Sequence, residues 1–375
     1  MQEKSFLSNK GVIAGYLLLL IVAVLIGIGM AIVYSSGELL AMRIGSFADI
    51  WRRQLTFAGI GIIIIFMISM IDYHIYVKHS IVILSVSVAL LVFLLVTKIN
   101  DIPYFYIARR LYFGSFSFQA SDFTKYALVF YFSKFISEKQ VDIKHLYKSY
   151  FTMLILLMSV MILVALEPDF NKASLIGVTG FTLMFIGGVS LRHLIATFSL
   201  LIPVVGVFIS MAPYRLAQIL HFFNSDKNEL SFQVKQALVA LHAGGLFGLG
   251  FGAIRKKEFF VPNSYNDFAF AVIGEEYGFV GAFFVILLFV GFFLAGITIA
   301  KNAADNYGKF MATGITTAIC LFAFTHICIV CKLLPTAGVE LPFISYGGSY
   351  LLFNCLGTGI LYNISRHKGD NTIPD

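Results

Sequence analysis

Apolar residues run almost unbroken for long stretches of this chain, and the polar positions between them are few and short. Crossing a bilayer as a helix takes about 20 apolar residues. Runs of about that length, several of them short or interrupted, can be drawn at about 12–34, 55–71, 81–98, 120–136, 150–166, 170–188, 193–211, 268–300, 309–333 and 343–365. Inside lipid each backbone N–H and C=O must find its partner within the protein, so each run is expected to be a helix. The fourth run carries Asp122, Lys125 and Lys134, and can sit in the membrane only if other helices satisfy those charges. The pattern therefore predicts an all-α polytopic membrane protein of about ten transmembrane helices. Residues 1–375 form one membrane domain, since no polar segment is long enough to make a second one.

The segment between the seventh and eighth runs, about 212–267, is far longer than an ordinary connection. Its composition is not that of a disordered linker. Residues 233–242, Gln-Val-Lys-Gln-Ala-Leu-Val-Ala-Leu-His, form an amphipathic stretch, and the glycine-rich run 244–252 follows. Glycines at this density permit tight turns and close backbone approach, as a re-entrant or interfacial loop requires.

Composition supports the membrane reading: 59% of residues are hydrophobic, 15% aromatic and only 13% charged, whereas about a quarter are charged in an average soluble domain. The net charge of +7 is scattered between apolar runs rather than gathered in a basic stripe. That distribution argues against nucleic acid and for anionic lipid headgroups or a phosphorylated lipid. With both termini on one face, that face carries Lys4, Lys10, Lys78, Lys134, Lys139, Lys144, Lys148, Arg192, Lys301, Lys309, Arg366 and Lys368. The short connections opposite carry Arg43, Arg52, Arg53, Lys98, Arg109 and Arg110. The positive-inside rule then places the termini in the cytoplasm and the 212–267 segment outside. Cys328 and Cys331 have a C-x-x-C spacing but lie mid-span without a second ligand pair, so they read as small hydrophobes.

Acidic residues at or within membrane spans are costly and mark functional positions. The candidates are Asp122, Glu167, Asp169, Asp267, Glu275 and Glu276. Asp267 stands where the long loop enters the eighth run, so it can meet both water and the membrane interior. It could equally be a residue that complements a helix dipole. Glu275 and Glu276 lie about 12–14 Å further along a helix and are rotated roughly 80° and 180° from Asp267. They are expected to pair structurally rather than to share a site with it. Arg109, Arg110, Lys125, Arg255, Lys256 and Lys257 are suited to phosphate, or to lipid headgroups at the surface. The late stretch Leu334–Ser349 holds Pro335, Gly338, Pro342, Ser345, Gly347, Gly348 and Ser349. It reads as a structural motif, with Pro342 starting a helix and the small residues allowing close helix packing.

Taken together these segments resemble the SEDS family (shape, elongation, division and sporulation) over almost the whole chain. The most specific matches are Gly338-Val-Glu-Leu-Pro-Phe-Ile-Ser-Tyr-Gly-Gly-Ser349 and Asp267-Phe-Ala-Phe-Ala-Val-Ile-Gly-Glu-Glu276. Gly244-Gly-Leu-Phe-Gly248 with Pro262, Gln119-Ala-Ser-Asp122 with Lys125, and Glu167-Pro-Asp169 add support. Gly274-Glu-Glu276, Val33-Tyr-Ser35 and Arg52-Arg-Gln-Leu55 are more like the division branch than the elongation branch. Some positions depart from the usual pattern: Gln-Pro-Ser-Glu reads Gln119-Ala-Ser-Asp122, Gln-Pro-Asp-Leu-Gly reads Glu167-Pro-Asp-Phe-Asn171, a tryptophan common after the arginine is Leu111, and a glycine before the Leu-Pro motif is Lys332.

The resemblance implies a peptidoglycan glycosyltransferase in the bacterial cytoplasmic membrane, at the septum, polymerising lipid II on the outer face beside a class B penicillin-binding protein and other division proteins. It implies Asp267 as the catalytic base, and substrate binding by Arg109, Arg110, Gln119, Asp122, Lys125 and Lys257. The sequence identifies no cofactor for certain; a divalent cation could help the diphosphate leave. Two other readings suit a multispan protein with intramembrane charge: a flippase for lipid II, and an inactive scaffold that recruits the penicillin-binding protein.

Overall fold

The computed structural model describes residues 2–44, 47–99, 110–113, 116–138, 147–210, 216, 222–223, 232–252 and 266–367. The chain is a bundle of long helices. In order they are α1 (Gln2–Ile44), α2 (Phe47–Ser69), the short α3 (His74–Lys78), α4 (Ser80–Ile99), α5 (Ala120–Glu138), α6 (Tyr147–Leu166), α7 (Phe170–Ile186), α8 (Leu191–Ser210), α9 (Phe232–Gly244), α10 (Ala269–Lys301), α11 (Asn306–Val330) and α12 (Gly348–Arg366). Each of the ten apolar runs corresponds to one long helix. The single exception to an all-α architecture among the described residues is a small antiparallel hairpin, β1 (Leu111–Phe113) with β2 (Phe116–Phe118), in which Leu111 faces Phe118.

Six helices, α1, α2, α4, α6, α10 and α11, are long and apolar enough to cross a membrane by themselves. The chain is a multi-pass membrane protein. Most of these helices turn bare Ile, Val, Leu and Phe outward, as Ile62, Ile63 and Phe66 of α2 do, because lipid rather than water surrounds them. Helix α11 differs: 72% of its apolar window is buried, against 28% for α2 and α10. It is the central post, packed by α5, α7, α10 and α12. The charged α5 also lies inside, between α4, α7 and α11, so its Asp122 and Lys125 meet protein rather than lipid.

The glycine run after α9 has the close backbone approach expected of it. Helix α10 breaks its helical geometry at Gly278, where φ is 66°. The freed backbone groups pair with the loop: Leu249 N–H donates to Glu275 O (2.9 Å) and Gly250 N–H to Glu276 O (3.1 Å). In return Phe279 N–H reaches Gly245 O (2.9 Å) and Val280 N–H reaches Leu246 O (3.1 Å). A Cβ on Gly248, whose φ is +82°, would stand 2.1 Å from Glu276 O. Only glycine satisfies both the turn and the contact.

Pro342 does not start a helix. It opens a turn in which Phe343 takes a φ of 65°, and Leu341 N–H is held by Ser345 Oγ at 2.9 Å. The last helix begins six residues later, at Gly348, where a Cβ would meet the Phe57 ring at 2.7 Å. The family-like motif is thus an irregular strap between α11 and α12 rather than the first turn of a span.

Candidate functional site

Three non-helical segments converge at one end of the bundle. The strap 331–347 leaves α11 and enters α12, Asn266 and Asp267 precede α10, and Glu167-Pro-Asp169 precedes α7. Ser345 ties the first two together: its hydroxyl donates to Asn266 O (2.6 Å) while accepting from Leu341 N–H. His326 of α11 adds a second tie. Its Nδ1 lies 2.6 Å from Val339 O, and its Nε2 faces Phe270 N–H at 3.4 Å. A neutral ring with its proton on Nδ1 serves both contacts.

These ties set Asp267 against the strap. A Cβ placed on Gly338 would lie 3.6–3.8 Å from the Asp267 carboxylate, so the carboxylate looks onto the bare backbone at Gly338. Asp267 is half-buried and lies in a turn, with Phe268 as the N-cap of α10. Both access from outside and a fixed backbone are provided.

Two residues along the strap, Glu340 begins a line of alternating charges. Arg110 Nη2 donates to Glu340 Oε1 at 2.7 Å. Lys172 Nζ lies 3.3 Å from Glu340 Oε2 and 2.7 Å from Asp122 Oδ1. Arg110 keeps 27% of its side chain exposed, whereas Glu340, Lys172 and Asp122 are buried. Burying single charges in a membrane protein is prohibitive, so each here is paired and hydrogen-bonded. The line is completed by α7, whose first turn supplies Lys172 and whose N-cap Asp169 accepts from Lys172 N–H and from Gln119 Nε2 (2.9 Å). The two motifs that depart from the usual pattern, 119–122 and 167–171, therefore meet in space.

Four of the six binding candidates lie within the described residues. Arg110 is at the accessible edge, Gln119 and Asp122 are in the buried network, and Lys125 is deeper. The Lys125 ammonium sits over the rings of Phe322 (4.4 Å), Tyr126 (4.7 Å) and Tyr350 (5.2 Å), 3.5 Å from Asn354 Oδ1. That position is a buried cation–π cage. Arg109 and Lys257, with Arg255 and Lys256, fall outside the described residues.

Glu275 and Glu276 are buried away from Asp267, as the helical rotation requires. Glu276 Oε1 accepts from Gly252 N–H (3.0 Å) and from the Ser35 hydroxyl, and so fastens the glycine turn to α1. Sequence reasoning missed Lys172, Glu340 and His326. A lysine in the first turn of a predicted span and an acid between two prolines were the available signals for the first two.

The fold and the site define a class: a multi-pass membrane protein that gathers a half-buried carboxylate, a partly exposed arginine and a buried network of paired charges at one end of its helices. Comparison with known proteins narrows it further. The chain belongs to the SEDS family: the family of FtsW, RodA and SpoVE, described as "Cell cycle protein", matches residues 16–370. Stage V sporulation protein E of Bacillus subtilis is 35% identical over 360 residues, covering 94% of this chain and 97% of that protein. A Trichlorobacter lovleyi protein named "Probable peptidoglycan glycosyltransferase FtsW" is 33% identical over 353 residues, covering 93% and 92%. Among solved structures, a chain from a peptidoglycan synthase complex that coordinates polymerization and crosslinking superposes with a TM-score of 0.78 at 20% identity, over 93% of this chain and 96% of that one. The rod shape determining protein RodA of Thermus thermophilus superposes with a TM-score of 0.67, also at 20% identity, over 94% and 97%. At these identities the two structures establish the shared fold.

Proposed function

We propose that this protein polymerises lipid II into glycan strands, with Asp267 as general base at the outer face of the membrane. The single observation that carries the assignment of the base is the Asp267–Gly338 contact. It leaves a half-buried carboxylate facing open backbone at the mouth of the bundle, where an acceptor sugar could enter from water and a lipid-linked donor from the side. The relatives named as peptidoglycan glycosyltransferases supply the reaction class.

In this mechanism Asp267 takes the proton of the acceptor hydroxyl as the hydroxyl oxygen attacks the anomeric carbon of the donor. The glycosidic bond forms with inversion as the bond to the undecaprenyl diphosphate breaks. General-base assistance of this type contributes about 10²- to 10⁴-fold. Arg110 is partly exposed and bonded to Glu340, two residues along the strap from Gly338, and its fork suits a diphosphate oxygen. An apolar groove of about 570 Å³ between α4 and α6, lined by Leu84, Val88, Val92, Phe93 and Leu156, is of a kind that could hold part of a polyprenyl chain. If a divalent cation takes part, Asp267 would hold it and it would supply charge neutralisation for the departing diphosphate, since Arg110 and Lys172 occupy both carboxylate oxygens of Glu340. Within the family, the relatives favour division or sporulation, so the proposed setting is a septum, with a class B penicillin-binding protein supplying the crosslinks.

The test is a glycan-chain gel on labelled lipid II with purified protein, with and without that partner, for the wild type and for Asp267→Asn. The wild type is expected to give a ladder and the Asn variant a rate lower by two to four orders of magnitude. A wild type that moves lipid II across vesicles without elongating it would be a flippase. One that stays inert with its partner present would be a scaffold.

A further inference from the structure

A second polar cluster closes the opposite end of the bundle. Helix α12 has 19 residues and so is about 28 Å long, which separates its C-terminal His367 from the strap by nearly the thickness of the membrane. Around His367 gather Asp72 and His74, from the link between α2 and α4, and Asp305, the N-cap of α11. His74 Nε2 lies 2.7 Å from Asp305 Oδ2, and Asp305 is itself fixed because its Oδ1 accepts from Gly308 N–H at 2.7 Å. His74 Nδ1 faces Asp72 Oδ1 at 2.6 Å, and His367 Nε2 stands 3.8 Å from Asp72 Oδ2. One ligand atom from each of Asp72, His74 and His367 can be chosen so that all three lie within 4.8 Å of one another.

Their chemistry is that of a metal centre with its outer shell in place. A metal-binding histidine characteristically donates its second ring N–H to a carboxylate, which fixes the tautomer and aims the other nitrogen at the ion. Asp305 does this for His74, and leaves Nδ1 for a cation shared with Asp72. A proton between Nδ1 and Oδ1 would satisfy His74, but it would leave Nε2 of His367, a ring that packs edge-on against Tyr73, beyond hydrogen-bond range of Asp72. Two imidazoles and a carboxylate favour a borderline transition metal over magnesium or calcium. The backbone around them is held independently: Asn363 of α12 accepts from Tyr73 N–H (3.1 Å) and donates to Ser69 O (2.9 Å).

We propose that Asp72, His74 and His367 form a site for a zinc-type divalent ion, oriented by Asp305, that staples the end of α2 to α11 and α12 at the face away from Asp267. Tetrahedral zinc with bonds of about 2.0–2.1 Å holds its ligand atoms roughly 3.3 Å apart, so rotation of partly exposed side chains must bring His367 closer and let His74 Nδ1 and Asp72 Oδ1 separate from 2.6 Å. Binding releases the Nδ1 proton of His74 and leaves the fourth position to water.

The experiment uses the full-length chain without a histidine tag, purified in detergent, stripped with a chelator and titrated with zinc chloride against a chromogenic competitor. One zinc per chain is expected. His367→Ala should weaken binding at least about tenfold, and Asp305→Asn about 10- to 100-fold, although asparagine preserves the cap of α11. Absence of zinc binding, or binding unchanged in His367→Ala and in His74→Ala, would overturn the proposal. Should His74→Ala fail to fold, His367→Ala at the helix end still decides. Polymerisation is not the readout, so failure here leaves the role of Asp267 standing, and the reverse also holds.

Discussion

Arg110 donates to Glu340 across 2.7 Å, and the bond joins a side chain that solvent can reach to one that is almost closed off. Because Glu340 is also held by Lys172, removing Arg110 does not strand it. Arg110→Ala is therefore expected to fold and insert normally. Loss of a preorganised cation at a departing diphosphate should lower kcat/KM about 10²-fold, and Arg110→Lys should restore only part, since an ammonium cannot replace the fork. An Arg110→Ala protein that elongates glycan at the wild-type rate would remove Arg110 from the mechanism.

Lys172 is the opposite case. It is the joint between Asp122 and Glu340, and all three are buried. Lys172→Met leaves two carboxylates without their shared cation, a change that costs about 3–5 kcal/mol when one partner of a buried pair is lost. A large fall in Tm in detergent is expected, and adding Asp122→Asn to Lys172→Met should recover part of it. Equal Tm values for Lys172→Met and the wild type would show that the network carries no stability.

How far these features could be read from sequence depends on which physical rule governs each. The ten helices were legible because lipid forces every apolar run to satisfy its own backbone. The glycine turn was legible because close approach leaves few alternatives to glycine. Position in space was another matter. The rule that intramembrane charges mark function picked out Asp122 and Asp267, yet Lys172 passed unremarked in the first turn of a predicted span. Glu340 was absorbed into a stretch whose prolines and glycines suggest packing. Only the fold brings residues 110, 122, 172 and 340 together, because their separations in sequence carry no periodicity. Pro342 misled for a local reason: proline suits the first turn of a helix and a tight turn alike, and the neighbouring Phe343 settles on the turn.

His326 joins Val339 to Phe270, and so sets the strap against the start of α10. It touches no candidate substrate position, which makes it a positioning residue. His326→Ala removes both bonds and should destabilise by about 1–3 kcal/mol, while kcat falls more than KM changes. His326→Gln, whose amide can donate to one group and accept from the other, should recover part of kcat. A fall in Tm with kcat intact would reduce His326 to a structural role.

From the charge distribution along the sequence we expect both termini in the cytoplasm and the 212–267 segment outside. Reporter fusions after Lys227 and after Lys368 should label opposite faces of the membrane. Labelling of one face by both would overturn the topology and, with it, the assignment of Asp267 to the outer surface.

Gly338 offers the sharpest test of the geometry at Asp267, because it changes space without changing charge. A Cβ there would lie in ordinary van der Waals contact with the carboxylate, at 3.6–3.8 Å, and Gly338 is exposed, so no packed core is disturbed. Gly338→Ala should therefore retain most activity. Gly338→Leu has to place three more carbons where the acceptor hydroxyl must approach the base. A general base must come within about 2.6–3.2 Å of the proton it removes, and small misplacements in such sites can lower rates about 10²-fold. Polymerisation should fall steeply from alanine to leucine while the Tm stays level. If Gly338→Leu elongates lipid II as fast as the alanine variant, the acceptor does not reach Asp267 across the strap. The base would then have to be approached from another side or sought among other carboxylates.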